Sequence, residues 1–545
     1  MKNRLFRLLG ITAFAGVVLV SAVSAQSDEQ VFTGTINSGT PDTYEISLTA
    51  GQAVLITAEA TSGDLDTYLR LLDPNRAIVG ENDDRRLGVI TDSALGVVAE
   101  ITGTYTIEMT RYPEAPSSGN YELVVRTGDP SILSALNELM TRIEFTGPAE
   151  FIDTQHFRIH YTTSGADAVT AEYLDEVAKA AEEFYNIQVN QLGFAAPPSD
   201  EQMGGNSLID VYVTDLLGEE EGGALGYVSP ETVIGDNPNT QQTETGATAT
   251  YMVIDNDYDP SQADTSNSAD SIALMRTTFT HELNHVLQFG YDGNDSHGWF
   301  FEATASWIET ITAGEDEDAT GYVAYNYTYP EICFGTLTDP EAGSLQYGDW
   351  TFMQMLADQF GTDSVRQYWE FIAQFDGWGS LEQFSAARGL TVPDLVEAYR
   401  LKNLARDYAL APSFNATVYL ENTIADVGLW TFSGLGIQEL GANYFRLDLP
   451  PGQYNAALVG AGSGLEIWAA GVIGTEKVEA IRLSTGGTFD TTPYDETYLM
   501  VFNRSYNADA DACSYANYDI EVSAGKSAPA PITYVFPATH FETLR

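Results

Sequence analysis

The hydrophobic periodicity of the sequence changes twice, and these changes limit the folds that the chain can adopt. In residues 28–128, apolar and polar residues alternate in short runs such as Tyr44–Leu48, with Gly and Asp turns between them. This alternation predicts an antiparallel β-sandwich. Residues 151–410 begin with strands and continue with helical spacing from about residue 269, which predicts an α+β domain. Alternation returns in residues 411–526, so we expect a second antiparallel β-sandwich there.

Three further segments lie outside these predicted domains. Residues 1–25 combine a basic start, an apolar run and small residues at Val23 and Ala25, which predicts a secretory signal peptide cleaved after Ala25. The alternative for this segment is an uncleaved membrane anchor. Residues 129–150 are interpreted as a connector, and residues 527–545 as a Pro-rich tail. We therefore expect a multidomain protein that is exported to the extracellular space.

The chain is strongly acidic, with 24 Lys and Arg against 78 Asp and Glu and a net charge of −54. Phosphate contacts require clustered Lys and Arg, so nucleic acid is excluded as a partner. Anionic membranes are excluded for the same electrostatic reason. The excess carboxylates either keep an exported protein soluble or, in part, hold cations such as calcium. The two cysteines, Cys333 and Cys513, are either one disulfide or two separate buried thiols.

The chemistry of the chain is concentrated in the segment His281-Glu282-Leu283-Asn284-His285, which holds two of only six histidines. Apolar residues recur around it at helical spacing. On a helix, positions i and i+4 lie one turn apart on the same side, so both imidazoles can reach one metal ion. Zinc favours such a nitrogen-rich site. Glu282 projects about 100° away from His281, so it can serve as general base for a metal-activated water rather than as a ligand.

A catalytic zinc site needs a third protein ligand. We choose Glu302, which follows a Gly- and Asp-rich loop and begins a predicted helix over Trp299–Thr312. A helix, a loop and a returning helix can bring this carboxylate back to the metal. The alternatives further along the chain are Asp292, Asp295, His297 and Glu309.

Two parts of the chain resemble known families. Residues 31–126 resemble the bacterial pre-peptidase C-terminal domain, through segments such as Gly63–Leu69 and Gly119–Tyr121. The segments HELNHVLQFGYD and WFFEATASWIE resemble the gluzincin metallopeptidases, which bind zinc with two His and a distant Glu. This second resemblance covers about residues 155–405 and implies a zincin-like catalytic domain. It also makes Tyr347 a candidate donor to the oxyanion, with a simple packing role as the alternative, and implies that an edge strand near residues 250–254 pairs with extended substrate.

Two groups of acidic residues are candidate calcium ligands. The first is implied by the pre-peptidase C-terminal resemblance, because some of these domains bind calcium through acidic loops. The second has alternate carboxylates on one loop, which can converge on a cation, although it is not an EF-hand. In both groups the alternative is ordinary turn or solvated acids. The first group is Asp64, Asp66, Asp83 and Asp84, and the second is Asp255, Asp257 and Asp259.

These observations predict a secreted zinc metalloendopeptidase, a hydrolase that acts as a monomer on polypeptide substrates. The main alternative is an extracellular surface-binding or adhesive protein whose zincin domain is structural or weakly active. A zinc hydrolase that does not act on peptides is a third possibility. The presence of Glu282 beside the two His residues favours an enzyme, because a binding scaffold has no use for a base there.

Overall fold

The structure is a computed structural model, and it describes most of the chain after the predicted signal peptide. Asp84, Asp259 and His297 of the sequence analysis lie outside the described residues, as does the signal peptide itself. The described residues are 28–83, 85, 91–99, 101–112, 117–135, 142–200, 203–216, 225–258, 271–293, 295, 298–314, 318–339, 342–431, 436–507 and 513–537.

The chain divides into two compact units, one formed by Met1–Ile78 with Asp83–Met140 and the other by Val79–Asn82 with Thr141–Arg545. The sheets near the N-terminus have the orders β1-β8-β3-β6 and β2-β7-β4-β5. Each is built from antiparallel neighbours such as β1 with β8 and β2 with β7. Their strands are β1 (Asp28–Ile36), β2 (Asp42–Leu48), β3 (Ala53–Gly63), β4 (Thr67–Leu72), β5 (Ile78–Asn82), β6 (Ser93–Val98), β7 (Gly103–Arg111) and β8 (Gly119–Gly128).

Alternation along these strands explains the first core. In β7, Tyr105, Ile107 and Met109 are buried while the residues between them are more exposed. Successive side chains of a strand point to opposite faces, so every second residue can enter the core. The predicted N-terminal β-sandwich is confirmed. A short 3-10 helix, Pro130–Ala135, follows it.

The second unit begins with a mixed sheet of order β12-β13-β11-β10-β9. β10, β11 and β13 run parallel, and the outer strands β9 and β12 run antiparallel to their neighbours. β13 was expected to be the edge strand, but it lies inside the sheet, and β12 is the edge beside it. β13 pairs with β11 on one side and β12 on the other, and all nine of its residues are buried. The strands are β9 (Glu150–Asp153), β10 (Phe157–Tyr161), β11 (Ile209–Thr214), β12 (Gly226–Gly235) and β13 (Ala247–Asp255).

Helices cover one face of this sheet and continue into a helical layer. The first helix ends in a π-helical segment, Asn186–Gln191. The helical layer has an aromatic core that includes Trp299, Trp307, Trp350 and Trp369. The helices are α1 (Ala171–Tyr185), α2 (Ser271–Phe289), α3 (Trp299–Thr312), α4 (Ala319–Thr328), α5 (Leu345–Gly348), α6 (Trp350–Phe360), α7 (Asp363–Ile372), α8 (Trp378–Ala386) and α9 (Val392–Ala405).

The C-terminal part forms sheets of order β14-β17-β22-β19-β20-β25 and β15-β24-β18-β21, with a small β16-β23 pair. β25 lies in the segment that we assigned to the tail. Tyr534 and Phe536 alternate in β25 and pack against the core, which explains why this segment is a strand. The strands are β14 (Leu420–Ile424), β15 (Gly428–Thr431), β16 (Ile437–Gln438), β17 (Ala442–Leu447), β18 (Gln453–Val459), β19 (Leu465–Ile473), β20 (Lys477–Arg482), β21 (Gly486–Asp490), β22 (Glu496–Asn503), β23 (Tyr515–Ala516), β24 (Asp519–Ala524) and β25 (Ile532–Pro537).

The C-terminal sheets and the helical layer share one apolar core. Tyr444, Trp468 and Phe502 belong to the same buried cluster as Trp350 of α6. The indole of Trp468 also donates to Glu397 of α9 at 3.0 Å. A disulfide joins Cys333, between α4 and α5, to Cys513, and closes a sequence separation of 180 residues. The open question about the two cysteines is therefore answered in favour of pairing.

The predicted fold class is confirmed: a multidomain chain in which an α+β domain is flanked by antiparallel β-sandwich domains. Within the described residues, no helix combines the length and the apolar character needed to cross a membrane.

Candidate metal centre

The helix that carries His281, Glu282 and His285 is α2, and it is buried on nearly all sides. Every residue from Thr277 to Gln288 is buried. A helix with an apolar stripe would expose its other side, so α2 is a central helix rather than a surface helix. It packs against β13, α1 and α3. The polar side chains of this helix must therefore find partners inside the protein.

His281, His285 and Glu302 converge on one point. One ligand atom from each lies within 4.8 Å of the others, the only such group of three or more His, Cys or acidic residues in the described part of the chain. Nε2 of His281 is 3.0 Å from Oε2 of Glu302, and Nε2 of His285 is 3.4 Å from the same oxygen. Glu302 stands in the first turn of α3, as the sequence predicted. Two imidazole nitrogens and one carboxylate oxygen form a donor set that suits zinc.

The second nitrogen of each imidazole is occupied by another side chain. Nδ1 of His281 lies 2.7 Å from Oε1 of Glu309, and Nδ1 of His285 lies 2.7 Å from Oε1 of Gln288. Both Nε2 atoms are therefore the ones that face Glu302. Outer partners of this kind fix the tautomer and the ring orientation of metal-binding histidines. The donor set and these outer contacts together fit a metal ion.

The site concentrates negative charge in a largely buried setting, in which Glu282 and Glu309 are buried and the Glu302 side chain is 24% exposed. Glu302 and Glu309 contact His281, and among the described residues neither they nor Glu282 forms an ion pair with Lys or Arg. Burial raises the pKa of Glu309 to about 7, against the lowering effect of His281. Burial also raises the pKa of Glu282. For Glu302, burial is outweighed by His285 and His281, and its pKa falls far below the usual value.

Glu282 is buried next to the edge strand β12. Its Cγ would be 2.9 Å from a Cβ on Gly226, the first residue of that strand, and Thr278 would be equally close. A side chain at position 226 would therefore displace the carboxylate, so glycine is required for this close approach. The adjacent carbonyl of Leu225 accepts a hydrogen bond from the hydroxyl of Tyr258 at 2.7 Å. The start of β12 is thus held beside Glu282.

Tyr347 lies at the same site. Its ring stacks on His281 with centroids 6.0 Å apart, and Tyr322 of α4 packs against it at 5.1 Å. Burial and the nearby charge of Glu302 raise the pKa of Tyr347 well above its usual value, so its hydroxyl keeps its proton. The short helix α5 carries this side chain. Tyr347 is therefore a protonated donor beside the three convergent residues.

The other candidates for the third ligand lie elsewhere or have another partner. Glu309 contacts Nδ1 of His281 instead of joining the convergent group. Asp295 accepts a hydrogen bond from the backbone of Gly377 at 3.0 Å. Asp292 is not part of the convergent group, and His297 lies outside the described residues.

Within the described part of the chain, the candidate calcium residues do not belong to a convergent group of three or more His, Cys or acidic side chains. Asp255 is fully buried, and backbone N–H groups donate to both of its oxygens: Leu216 at 2.9 Å to Oδ1, and Tyr258 at 2.6 Å to Oδ2. Asp255, the first carboxylate of the alternating run, therefore stabilises a local turn. In the N-terminal sandwich, Asp64 accepts from the backbone of Ser118 at 3.0 Å.

Two family comparisons match parts of the chain. Residues 40–127 match the bacterial pre-peptidase C-terminal domain, which confirms the resemblance predicted for this segment. Residues 160–377 match a family described as a family of unknown function, DUF6055. The second match contains α2, α3 and α5, and so all of the residues that converge at the site. No curated protein matches the chain.

Several solved structures are similar at low identity. The ZmpB metallopeptidase from Clostridium perfringens is 13% identical, with a TM-score of 0.24 over 67% of this chain and 73% of its own. An aminopeptidase N family protein from Idiomarina loihiensis is 10% identical, with a TM-score of 0.30 over 91% and 98%. The IMPa metallopeptidase from Pseudomonas aeruginosa is 13% identical, with a TM-score of 0.21 over 66% and 45%. These TM-scores are too low to carry a functional argument.

Proposed function

We propose that this protein is a secreted zinc-dependent endopeptidase whose metal is held by His281, His285 and Glu302. The observation that carries the proposal is the convergence of these three side chains beside Glu282, a buried carboxylate that is not part of the convergent group. The match to a domain of bacterial pre-peptidases and the disulfide support export.

The metal supplies one part of the chemistry. Zinc at this position would act as a Lewis acid that lowers the pKa of water and polarises the peptide carbonyl. The outer partners Glu309 and Gln288 keep Nε2 of each imidazole directed at Glu302. The ionised form of Glu309 adds a negative charge behind His281, which strengthens that imidazole as a metal ligand.

The chain's own residues supply proton transfer and charge stabilisation. Burial raises the pKa of Glu282, which moves this carboxylate toward the range where a general base is effective at neutral pH. Glu282 takes a proton from the water that attacks the peptide carbonyl and delivers it to the leaving amine nitrogen. Tyr347, whose hydroxyl stays protonated, donates a hydrogen bond to the oxygen that becomes negative.

The proposal is tested with zinc-loaded wild-type protein and the Glu282→Gln variant. We expect both proteins to hold one zinc per chain by elemental analysis, because Glu282 is outside the convergent group. Cleavage of casein should be sensitive to chelators in the wild type and should fall by at least about 100-fold in Glu282→Gln. Tyr347→Phe should lower kcat by about 100-fold, while its matched control Tyr325→Phe in α4 should not change kcat.

Two results would redirect the proposal. Full zinc occupancy with no cleavage of casein or synthetic peptides would favour the surface-binding alternative. Turnover of esters or simple amides without proteolysis would instead indicate a zinc hydrolase of another class.

A further inference from the structure

Three amide side chains, Gln188, Asn284 and Gln288, are fully buried close to His285. Burying an amide without partners costs free energy, so such groups persist only where they are hydrogen-bonded. All three belong to one continuous set of hydrogen bonds, which we call the amide network.

The amide network begins at Gln188, in the segment that follows α1, and ends at the imidazole of His285. Nε2 of Gln188 donates to the carbonyl of Thr280 at 2.8 Å, and Nδ2 of Asn284 donates to Oε1 of Gln188 at 3.0 Å. Nε2 of Gln288 donates to Oδ1 of Asn284 at 2.6 Å and to the carbonyl of Phe301 at 3.0 Å. Oε1 of Gln288 is then left facing Nδ1 of His285 at 2.7 Å.

The direction of these bonds is fixed by the backbone. The carbonyls of Thr280 and Phe301 can only accept, so the NH₂ groups of Gln188 and Gln288 must face them. The amide oxygen of Gln288 is consequently the atom that meets the imidazole. An oxygen accepts, so Nδ1 of His285 must carry a proton, and Nε2, which faces Glu302, is the nitrogen left to bind a metal.

The first member of the network comes from an irregular part of the fold. Gln188 lies in the π-helical segment Asn186–Gln191 that follows α1. π-Helical turns are uncommon and are found frequently at functional sites. Here the segment turns a polar side chain into the interior, where it meets α2 at Thr280 and Asn284.

We propose that Gln188, Asn284 and Gln288 are positioning residues that hold His285 in its metal-binding tautomer. Gln288 has a second role, because its bond to Phe301 ties α3 to α2 one residue before Glu302. The inference rests on the proposed function in one respect, since it takes His285 as a metal ligand.

Zinc affinity, measured by competition with a chelating dye, tests the proposal without reference to proteolysis. We expect Gln288→Met to weaken zinc binding by about 10–100-fold and Gln188→Met by about 5-fold. The double variant should be no weaker than Gln288→Met, because both changes act through one network. Asn503→Leu removes an equally buried amide in β22 and serves as the control, with unchanged zinc affinity.

Cobalt-loaded protein gives a second measurement that a purely structural role would not change. In the wild type, each ligating histidine should show one exchangeable, hyperfine-shifted N–H signal in the proton spectrum, both from Nδ1. In Gln288→Met, the signal of His285 should exchange rapidly with water, while that of His281 remains. This measurement on the wild type stands even if a variant fails to fold.

The proposal is overturned if Gln288→Met or Gln188→Met binds zinc as tightly as Asn503→Leu does. It is also overturned if the wild-type signal of His285 comes from Nε2. A wild-type protein that binds zinc but cleaves no peptide would count against the proposed function alone. A wild-type protein that binds no zinc would count against the metal centre itself.

Discussion

Two clusters of buried and partly buried acidic residues in the second unit differ in how their charge is balanced. The metal-centre cluster combines His281 and His285 with Glu282, Glu302 and Glu309. The Arg142 cluster lies at the central sheet, where one guanidinium contacts Asp200, Asp210 and Glu231 at 2.5–2.6 Å. Each cluster holds three carboxylates, but only the second contains its own permanent cation.

The two clusters lie on opposite sides of the same sheet. In β11, Val211 and Val213 face the core under α1 and α2, so Asp210 and Tyr212 face the other way. Arg142 lies over the rings of Tyr251 and Tyr212, at 5.2 and 6.0 Å from their centroids. Ile143 and Phe145 pack on the same face. The part of the predicted connector from Arg142 onward therefore covers the sheet.

The comparison indicates which cluster needs a bound metal ion to balance its charge. A buried carboxylate group is stable only when it is paired or protonated. The Arg142 cluster is paired by the chain itself, and so it is structural. In the metal-centre cluster, among the described residues, the carboxylates face histidines and no Lys or Arg, which is the arrangement expected where a metal ion supplies the charge.

The largest effect is expected from Arg142→Met, which leaves three buried carboxylates without their cation. Removing one partner from a buried ion pair typically costs about 3–5 kcal/mol, so the thermal midpoint should fall steeply, with or without zinc. Adding Glu231→Gln should recover part of the loss, because one fewer buried charge is left unpaired. A double variant that is no more stable than Arg142→Met would show that the cluster is not electrostatic in origin.

A smaller effect is expected from Glu309→Gln in the metal-centre cluster. The substitution gives His281 the same kind of partner, an amide oxygen, that Gln288 already provides for His285. We expect zinc affinity to fall by about 10-fold, because the negative charge behind the ligand is lost. Glu397→Gln, at an equally buried carboxylate of α9, should leave zinc affinity unchanged. Equal losses in the two variants would contradict a specific role for Glu309.

A further effect, also smaller than that of Arg142→Met, is a pH dependence within the Arg142 cluster. Burial raises the pKa of Asp200 to about 6 and that of Glu231 to about 7, although Arg142 opposes both shifts. Their ordinary values are 3.8 and 4.5, so the folded protein binds more protons than the unfolded chain between these limits. The stability that these groups contribute is therefore complete at low pH and declines as the pH rises toward about 7.

The Glu231→Gln variant separates the pH-dependent stability due to Glu231 from the general charge repulsion of an acidic protein. Asp210, which His160 and Arg142 also contact, has a lowered pKa, so its contribution is lost only in more acidic solution. Between pH 5 and 8 the wild-type unfolding midpoint should decline more steeply than that of Glu231→Gln. The difference should be on the order of 2 kcal/mol. If the unfolding midpoints of the two proteins changed in parallel with pH, the raised pKa of Glu231 would be contradicted.

Local sequence patterns predicted the fold class and the convergent residues. The i, i+4 spacing of His281 and His285 and the helical return at Glu302 depend only on helix geometry, which short segments determine. The N-terminal sandwich followed from alternation and regular turns. The position of Glu309 near the site could also be predicted. It stands seven residues after Glu302, two turns along the same face of the helix.

Other features depend on contacts between distant segments, and the sequence did not predict them. Gln188 lies 92 residues before Thr280, and nothing in its neighbourhood signals a π-helical turn. The role of Arg142 cannot be seen in its local sequence, because its three partners lie 58, 68 and 89 residues further along the chain. The position of β13 inside the sheet depends on β12, whose own sequence is rich in Gly and polar residues.

The central claim is that His281, His285 and Glu302 hold a zinc ion beside a free Glu282. The most direct test is diffraction from zinc-loaded crystals, measured on both sides of the zinc absorption edge. We expect one strong anomalous peak within bonding distance of Nε2 of His281, Nε2 of His285 and a carboxylate oxygen of Glu302, with Glu282 outside that distance. No peak there, or a peak that is bound by Glu282 in place of Glu302, would contradict the claim.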